Sequence, residues 1–233
     1  LVAAHWDIDR QSLDAFALRS HQLAADAAMR GLTGRDIVAI GSADWDEGIR
    51  ADTSLEKLGQ LKPAFVNEKM AERYPEIAWR VTAGNSSQVS DGASAMLIAS
   101  EQAVERLGLK PRAAISHFAV AGDDPIMMLT GIIPATRKLL ARADLSLDDI
   151  DLFEVNEAFS SVVLAWMREL GIGQNKVNVN GGALALGHPL GASGGRLTAN
   201  LLGALEETGG RYGLQTMCEA GGMANATLIE RLG

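Results

Sequence analysis

The amino-acid sequence predicts an α/β fold in which helices cover a sheet. In the second half of the chain, segments with the pattern of strands alternate with segments that have helical periodicity. The 233 residues are 47% hydrophobic and 21% charged, so the chain can bury a full core and is not a disordered tail. Glycines and polar residues follow several of the predicted strands, which is where open α/β sheets bind their ligands.

One long helix and an irregular lobe are predicted for the first hundred residues. Apolar residues recur at helical spacing in the helix, which ends at Gly31 and Gly34. The lobe has little periodicity and contains two prolines, and loops of that length are usually functional. The predicted elements are a helix over residues 12–29, a strand over 36–40, the lobe over 41–80, a loop over 84–92 and a buried strand or helix over 93–106 that stops at Gly108.

Regular α/β alternation follows this part. β-Branched and aromatic residues indicate the strands, and Pro134 suits the first turn of a helix. The predicted elements are strands over 113–121, 150–155, 177–179, 212–218 and 224–231, helices over 134–142, 159–170 and about 193–205, and a capped helical turn over 146–149.

Composition excludes several classes of protein. The chain has 21 Lys and Arg against 29 Asp and Glu, a formal charge of −8, whereas a nucleic-acid protein needs a basic surface. No apolar run is long enough to span a bilayer. With a single cysteine and no charged-then-apolar leader, we expect a reducing, cytoplasmic location. Because Leu1 lies inside a helical segment, we also expect a preceding N-terminal portion.

His188 is the first candidate for chemistry. Gly187 precedes it, and Pro189 and a glycine-rich stretch follow it just before a predicted helix. Glycines let backbone N–H groups approach a ligand, and a helix N-terminus favours developing negative charge. The alternative is a glycine turn with an incidental histidine. The stretch has the spacing neither of a phosphate loop nor of a dinucleotide fingerprint.

Cys218 is the second candidate. It ends a predicted strand and precedes a sharp turn containing Gly221 and Gly222, which would leave its sulfur at a loop. A thiol near an imidazole can exchange protons, although a lone cysteine is more often a small buried hydrophobe. No metal site is predicted, since one cysteine and His188 fall short of the four ligands that zinc needs.

Asn156 is the third candidate, and Glu157 follows it between a predicted strand and a predicted helix. Its amide, or a water that it holds, could donate into an oxyanion pocket. An ordinary helix cap is the alternative. His5, His21 and His117 lack comparable surroundings and are expected to be surface or packing residues.

Together these stretches resemble the thiolase family. The motifs that carry the resemblance are Asn156-Glu157-Ala158-Phe159, the glycine-rich block from Asn180 to Gly195 with its Gly-His-Pro, and Cys218 with its glycines. Earlier segments also resemble thiolases: Phe16-Ala17-Leu18-Arg19-Ser20-His21, Asp46-Glu47-Gly48-Ile49-Arg50, Leu61-Lys62-Pro63-Ala64-Phe65 and Thr82-Ala83-Gly84-Asn85-Ser86-Ser87. The resemblance thus covers nearly the whole chain.

The resemblance implies Claisen chemistry on coenzyme A thioesters. A thiolase transfers an acyl group from a 3-ketoacyl-CoA to its own nucleophilic cysteine, releases acetyl-CoA and passes the acyl group to a second CoA. Carried onto this sequence, His188 activates the nucleophile, Cys218 exchanges a proton with the acetyl α-carbon, and Asn156 holds the water of an oxyanion hole. Ser87 and Ala83 line the pantetheine channel, with Glu157, Gly187 and Gly221 in supporting places. CoA is a co-substrate, and no permanently bound cofactor is implied.

The family's layered αβαβα fold, built from two βαβαβαββ halves, has consequences for this chain. On that template residues 1–80 are the remainder of the loop domain, 81–108 the end of the N-terminal half and 109–233 the complete C-terminal half. The acylated cysteine of the family belongs to the N-terminal half before Leu1, so the 233 residues alone are not expected to catalyse thiolysis. The family also has a glycine at the position of Ala220, which is strained here if its φ is positive.

Two functions of different class remain open. The first is a CoA-dependent acyltransferase, degradative rather than biosynthetic, in fatty-acid β-oxidation or related acyl-CoA breakdown and with the homodimer or homotetramer habit of the family. The second is a non-catalytic thiolase-fold subunit whose nucleophile comes from another chain. A decarboxylating condensing enzyme fits poorly, because that class has histidine where Cys218 stands.

Overall fold

A computed structural model describes residues 1–32 and 34–233 of the chain. The first part contains five helices among irregular segments: α1 (Val2–His5), α2 (Arg10–Met29), α3 (Leu55–Gly59), α4 (Glu68–Arg73) and α5 (Glu101–Leu107). The long helix α2 begins at Asp9, whose side chain accepts a hydrogen bond from the N–H of Ser12 at 2.7 Å. Its apolar stripe, including Phe16 and Ala17, enters the main core.

The second part holds the sheet and its covering helices. Its elements are β1 (Ala113–Gly122), α6 (Ile132–Ala143), β2 (Leu152–Val155), α7 (Ser160–Leu170), α8 (Ala183–Leu186), α9 (Ser193–Thr208), β3 (Tyr212–Glu219) and β4 (Met223–Arg231). The strand order is β1-β4-β3-β2. β2 pairs parallel with β3, and β4 is antiparallel to both of its neighbours.

Three layers result from the alternation of side chains along the strands. Phe153 and Leu214 point to one face, where they join the main core with residues of α6 and α7. Leu152 and Ile229 point to the other face and pack on Leu201 of α9. α9 packs on this face over β2 and β3. Because these two strands are parallel, their carboxyl ends lie at the same edge of the sheet.

Most predicted elements of the second part are confirmed, but two predictions are wrong there. Val177 forms only an isolated bridge with Phe153, because Asn178 turns away with φ +46° and its side-chain amide pairs with the backbone of Val155. Residues 146–149 form a turn that is capped, as predicted, by the carboxylate of Asp149, which accepts from both the N–H and the hydroxyl of Ser146, but the turn is not helical.

Two predictions for the first part are also wrong. Residues 36–40 are irregular apart from a single bridge from Ile40 to Ala43, because the segment has no strand beside it to pair with in the described chain. Residues 93–100 are irregular and exposed, with Leu97 at 81%, and α5 contains no buried residue. No layer of the described chain covers this apolar stretch, so its composition does not lead to burial. α5 does end at Gly108, in the left-handed conformation that its C-cap favours.

Candidate active site

The carboxyl ends of the parallel strands β2 and β3 position the first candidate residue. Asn156 follows β2 directly, is 1% exposed and donates its backbone N–H to the carbonyl of Thr216 on β3 at 3.0 Å. Its side-chain Oδ1 is buried and has no hydrogen-bond partner within the described residues. The side chain is therefore not a simple helix cap, because the cap position of α7 belongs to Phe159.

His188 contacts Asn156 across this edge. The Nδ2 atom of Asn156 lies 3.3 Å from Nε2 of His188. The short helix α8 leads to His188 through Gly187, which has φ +83° and whose Cβ, if present, would lie 2.1 Å from the hydroxyl of Ser90. Only glycine fits there, because both the left-handed backbone and the close approach exclude a side chain. Gly187 therefore sets the direction in which the chain presents His188.

Two further contacts hold the histidine. Its backbone N–H donates to the carbonyl of Gln88 at 3.0 Å, and its ring Nδ1 lies 2.6 Å from the hydroxyl of Ser193. Partial burial lowers the pKa of the imidazole below its ordinary value, since desolvation disfavours the charged form. A neutral imidazole at neutral pH can accept a proton from a neighbouring thiol.

Cys218 lies at the same end of the sheet. It stands two residues beyond Thr216 on β3, which is about 7 Å along a strand. The prediction that the sulfur of Cys218 lies at a loop is wrong, because the β3–β4 ladder continues past this residue to Glu219 and Met223. Cys218 pairs with Ala224, is 8% exposed and belongs to the main core. Burial raises the pKa of the Cys218 thiol to about 11, with a smaller contribution from Glu219. The group is thus a protonated thiol at neutral pH.

The turn after Cys218 accommodates Ala220, which stands where the family has a glycine. Gly221 and Gly222 have φ of +80° and +85°, whereas Ala220 is not among the residues with positive φ. The methyl group of Ala220 therefore causes no left-handed strain. A Cβ on Gly222 would lie 2.7 Å from the carbonyl of Asp123, whose N–H in turn donates to the Gly222 carbonyl at 2.8 Å.

A buried carboxylate organises the segments around the site. Glu157 is fully buried and accepts hydrogen bonds from Ser20 of α2 at 2.6 Å, from the side chain of Asn178 at 2.9 Å and from the N–H of Leu184 at 3.1 Å. Burial raises the pKa of Glu157, and these three donors act in the opposite direction. All three partners donate, which suits the ionised carboxylate. Glu157 thereby ties α2 and α8 to the residue next to Asn156.

The two residues predicted for the pantetheine channel have different surroundings. Ala83 lines a cavity of about 380 Å³ whose wall includes Arg50, Lys57 and the buried His21. Ser87 is not among the residues that line this cavity in the described part of the chain, and its N–H donates to the carbonyl of Ala158 at 3.0 Å. Asp52 also lines this wall and pairs with Lys57 at 2.7 Å, so the positive charge of Arg50 gives the cavity the local basic character that an anionic ligand needs.

A second cavity is apolar and is bordered by Phe159. Its volume is about 280 Å³, and its lining includes Phe65, Trp79, Met128 and Phe159. Phe65 packs edge-to-face on Phe159 with ring centroids 6.2 Å apart. Part of the 41–80 lobe thus borders each cavity.

Sequence reasoning did not assign several residues that hold the site. Ser193, Gln88, Ser20 and Asn178 each bond a candidate residue or its neighbour. Ser193 and Ser20 stand within the motifs that point to thiolases, but a hydroxyl in a motif does not show which atom it bonds. Among residues 1–32 and 34–233, no group of three or more His, Cys, Asp and Glu could hold a metal ion. None of the described helices has the length and apolarity to cross a membrane.

Comparisons with known proteins agree with this architecture. The family model for the C-terminal domain of thiolase matches residues 109–231, and the model for its N-terminal domain matches residues 1–102. The steroid 3-ketoacyl-CoA thiolase of Mycobacterium tuberculosis is 48% identical over 236 residues, which covers 100% of this chain and 55% of that protein. The β-ketoadipyl-CoA thiolase of Pseudomonas aeruginosa is 47% identical over 241 residues, covering 99% of this chain and 58% of that protein.

Solved structures give the same result. Human mitochondrial 3-ketoacyl-CoA thiolase in complex with CoA matches with a TM-score of 0.92 and 41% identity, covering 99% of this chain and 58% of that one. The acetyl-CoA acetyltransferase of Bacillus anthracis matches with a TM-score of 0.91 and 39% identity, over 99% of this chain and 58% of that one. The chain spans little more than half the length of these relatives. From the two domain matches and these identities, the chain belongs to the thiolase family.

Proposed function

We propose that the whole protein is a CoA-dependent acyltransferase of the thiolase type, which cleaves a 3-ketoacyl-CoA with CoA or runs the reverse condensation. The observation that carries the proposal is the contact between Asn156 and His188 at the sheet end that also holds Cys218. Relatives named as thiolases support the reaction class. The nucleophilic cysteine is then a residue outside these 233, since Cys218 is the only cysteine among them.

In the first half-reaction the nucleophile attacks the 3-keto carbon. Nε2 of His188 takes the thiol proton and then donates it as a hydrogen bond to the developing oxyanion. The 3.3 Å separation from Asn156 is long for a hydrogen bond and leaves Nε2 able to accept that proton. The C2–C3 bond breaks, which leaves an acyl-enzyme thioester and the enolate of acetyl-CoA.

Cys218 and Asn156 act on that enolate. The thiol of Cys218, which its raised pKa keeps protonated, gives its proton to C2 of the enolate, a much stronger base than the thiolate that remains. Acetyl-CoA is then released. The unpartnered Oδ1 of Asn156 fits a held water that donates to the thioester oxygen while the negative charge develops.

The second half-reaction restores every group. The Cys218 thiolate takes the proton of an incoming CoA thiol, and the CoA sulfur attacks the acyl-enzyme. The acyl group leaves as acyl-CoA, and the nucleophilic cysteine recovers its proton from His188. One ketoacyl-CoA and one CoA thus give one acyl-CoA and one acetyl-CoA, with no redox change.

The basic cavity is the proposed entrance for CoA. Arg50, and Lys57 beside its partner Asp52, would face the phosphate groups of CoA. Ala83 on the cavity wall and Ser87 outside it would lie along the pantetheine arm. We assign residues 1–80 to the loop domain, 81–108 to the end of the N-terminal half and 109–233 to the C-terminal half. The further proposals are degradation of fatty-acid or related acyl-CoA, a cytoplasmic homodimer or homotetramer, and no nucleic-acid or membrane partner.

The first test is the intact mass of the full-length protein after incubation with acetoacetyl-CoA, together with its thiolysis rate. We expect the gain of one acetyl group and rapid turnover when CoA is added. Cys218→Ser should lower turnover by orders of magnitude yet still form the acyl-enzyme, whereas His188→Ala should lose acyl-enzyme formation. His5→Ala, a change of an exposed histidine, is the matched control. A full-length protein that gains no acetyl group would support the non-catalytic subunit instead, and normal turnover in both site variants would refute these roles.

A further inference from the structure

The hydroxyl of Ser193 lies between the ring of His188 and a backbone carbonyl. Ser193 is the first residue of α9 and is 4% exposed. Its Oγ lies 2.6 Å from Nδ1 of His188 and 2.9 Å from the carbonyl oxygen of Pro189. Its backbone N–H donates to the same carbonyl at 3.0 Å, so both polar groups of the residue are fixed by the first turn of the helix.

These distances define the direction of each hydrogen bond. A serine hydroxyl has one proton, and a carbonyl can only accept, so that proton goes to Pro189 and Oγ is left to accept from His188. Nδ1 must then carry a proton. On the far side of the ring, the amide nitrogen of Asn156 lies 3.3 Å from Nε2 and carries only protons, so it faces an unprotonated Nε2 without the repulsion that a second N–H would cause. Both neighbours favour the same tautomer.

We propose that Ser193 is a positioning residue that holds His188 in the tautomer with its proton on Nδ1, so that Nε2 is free to accept the proton of the nucleophile. The inference rests on the proposed function, because it assigns His188 the role of base. The arrangement is preorganised: Gly187 and Pro189 restrict the backbone on both sides of the histidine, and α9 holds the serine. A rotation of the ring would break its contacts with both Ser193 and Asn156.

The test uses the full-length protein and three variants. Ser193→Ala removes the acceptor, and Ser193→Thr keeps a hydroxyl at the same atom. Ser94→Ala is the matched control, since Ser94 bonds the carbonyl of Ala192 at 2.9 Å, in the same loop, without contacting His188. The first readout is the rate of acyl-enzyme formation with acetoacetyl-CoA between pH 6 and 9, by rapid quenching and intact mass. The second is the set of ¹⁵N chemical shifts of His188 in histidine-labelled protein, assigned by their loss in His188→Ala.

We expect the wild-type protein to have Nδ1 protonated and Nε2 bare, and Ser193→Ala to show a mixture of both tautomers. Acyl-enzyme formation in Ser193→Ala should fall about 10- to 100-fold over the whole pH range, with KM changed less than twofold and with an unchanged thermal midpoint. Ser193→Thr should stay within about threefold of wild type, and Ser94→Ala should equal it.

Two results would overturn the inference: a wild-type His188 protonated on Nε2, or a Ser193→Ala protein that acylates at the wild-type rate while His188→Ala does not. The failure of the proposed function has a different signature. In that case His188→Ala would itself acylate normally, or the wild-type protein would gain no acetyl group, whichever tautomer the nitrogen shifts report.

Discussion

Acid should destabilise this protein through His21, a histidine that is buried beside the basic cavity. Nδ1 of His21 accepts the backbone N–H of Arg50 at 3.1 Å, and the side chain is 4% exposed. Burial, and to a smaller extent the charge of Arg50, lowers the pKa of His21 from 6.5 to about 4. Arg50, Lys57 and Asp52 are the other charged groups on this cavity wall. The folded protein therefore holds a neutral His21 at any pH well above 4.

The sign of the effect follows from proton uptake. Below pH 6.5 the unfolded chain protonates this histidine, whereas the folded chain does so only near pH 4. The unfolded state thus binds more protons in this window, and the free energy of unfolding decreases as the pH falls. At 1.36 kcal/mol per pKa unit, His21 alone should cost about 2.5 kcal/mol between pH 7.5 and 4.5.

His21→Asn isolates this contribution, since an asparagine carbonyl can still accept from Arg50 but does not titrate. The measurement is the free energy of unfolding in urea for both full-length proteins at pH 7.5, 6.0 and 4.5. Because every other titrating group is shared, their effects cancel in the difference between the two proteins. That difference should change by about 2.5 kcal/mol in favour of the variant at low pH. A difference that stays constant within about 0.5 kcal/mol would show that His21 does not titrate as its burial requires.

Two further predictions concern the supports of the site. Glu157→Gln should lower the free energy of unfolding, measured in urea, by about 3 kcal/mol. The reason is that the glutamine amide must place its NH₂ group against another donor, either the side chain of Asn178 or the N–H of Leu184. An unchanged stability would contradict the hydrogen-bond network around Glu157. Gly187→Ala should lose about 2 kcal/mol or more and slow acyl-enzyme formation, because its Cβ meets Ser90 and its φ is positive. Gly191→Ala, with open space and no positive φ, should change stability by less than about 0.5 kcal/mol, and equal losses for both glycines would refute the steric argument.

The sequence was sufficient to predict elements whose local signals and tertiary surroundings agree. Helix α7 has an apolar stripe, a preceding buried strand and Gly171 at its end, and both the pattern and the packing require the same structure. The thiolase motifs predicted that Asn156 and Cys218 stand at the sheet end, because both lie where a strand stops, whereas the short helix α8 brings His188 to that end. The contact between Asn156 and His188 agrees with that placement.

Prediction was wrong where a distant part of the chain decides the local structure. The apolar segment 93–100 has the composition of a buried element, but burial requires a neighbouring layer, and composition does not reveal whether one is present. Residues 177–179 read as a strand, yet the side chain of Asn178 bonds Val155 in place of a second backbone ladder. The hydrogen-bond partners of Ser193 and Glu157 likewise could not be predicted from the sequence, because hydrogen-bond geometry depends on how the folded chain places each atom.

Gln88 forms hydrogen bonds with both the 41–80 lobe and the proposed base, His188. The amide nitrogen of Gln88 donates to the carbonyl of Gly48 at 2.8 Å and to that of Leu184 at 2.9 Å, while its backbone carbonyl accepts from His188. Nearby, Asp46 receives both terminal nitrogens of Arg196 at 2.7 Å, a bidentate pair that fixes the lobe on α9.

The lobe therefore cannot move on α8 and α9 without disturbing the residue that anchors His188. Gln88 also lines the basic cavity, so the cavity wall and the backbone of the base share this residue. A substitution that loosens the 46–50 segment should for the same reason weaken ligand binding and slow acyl-enzyme formation together, although the segment itself does not contact the imidazole.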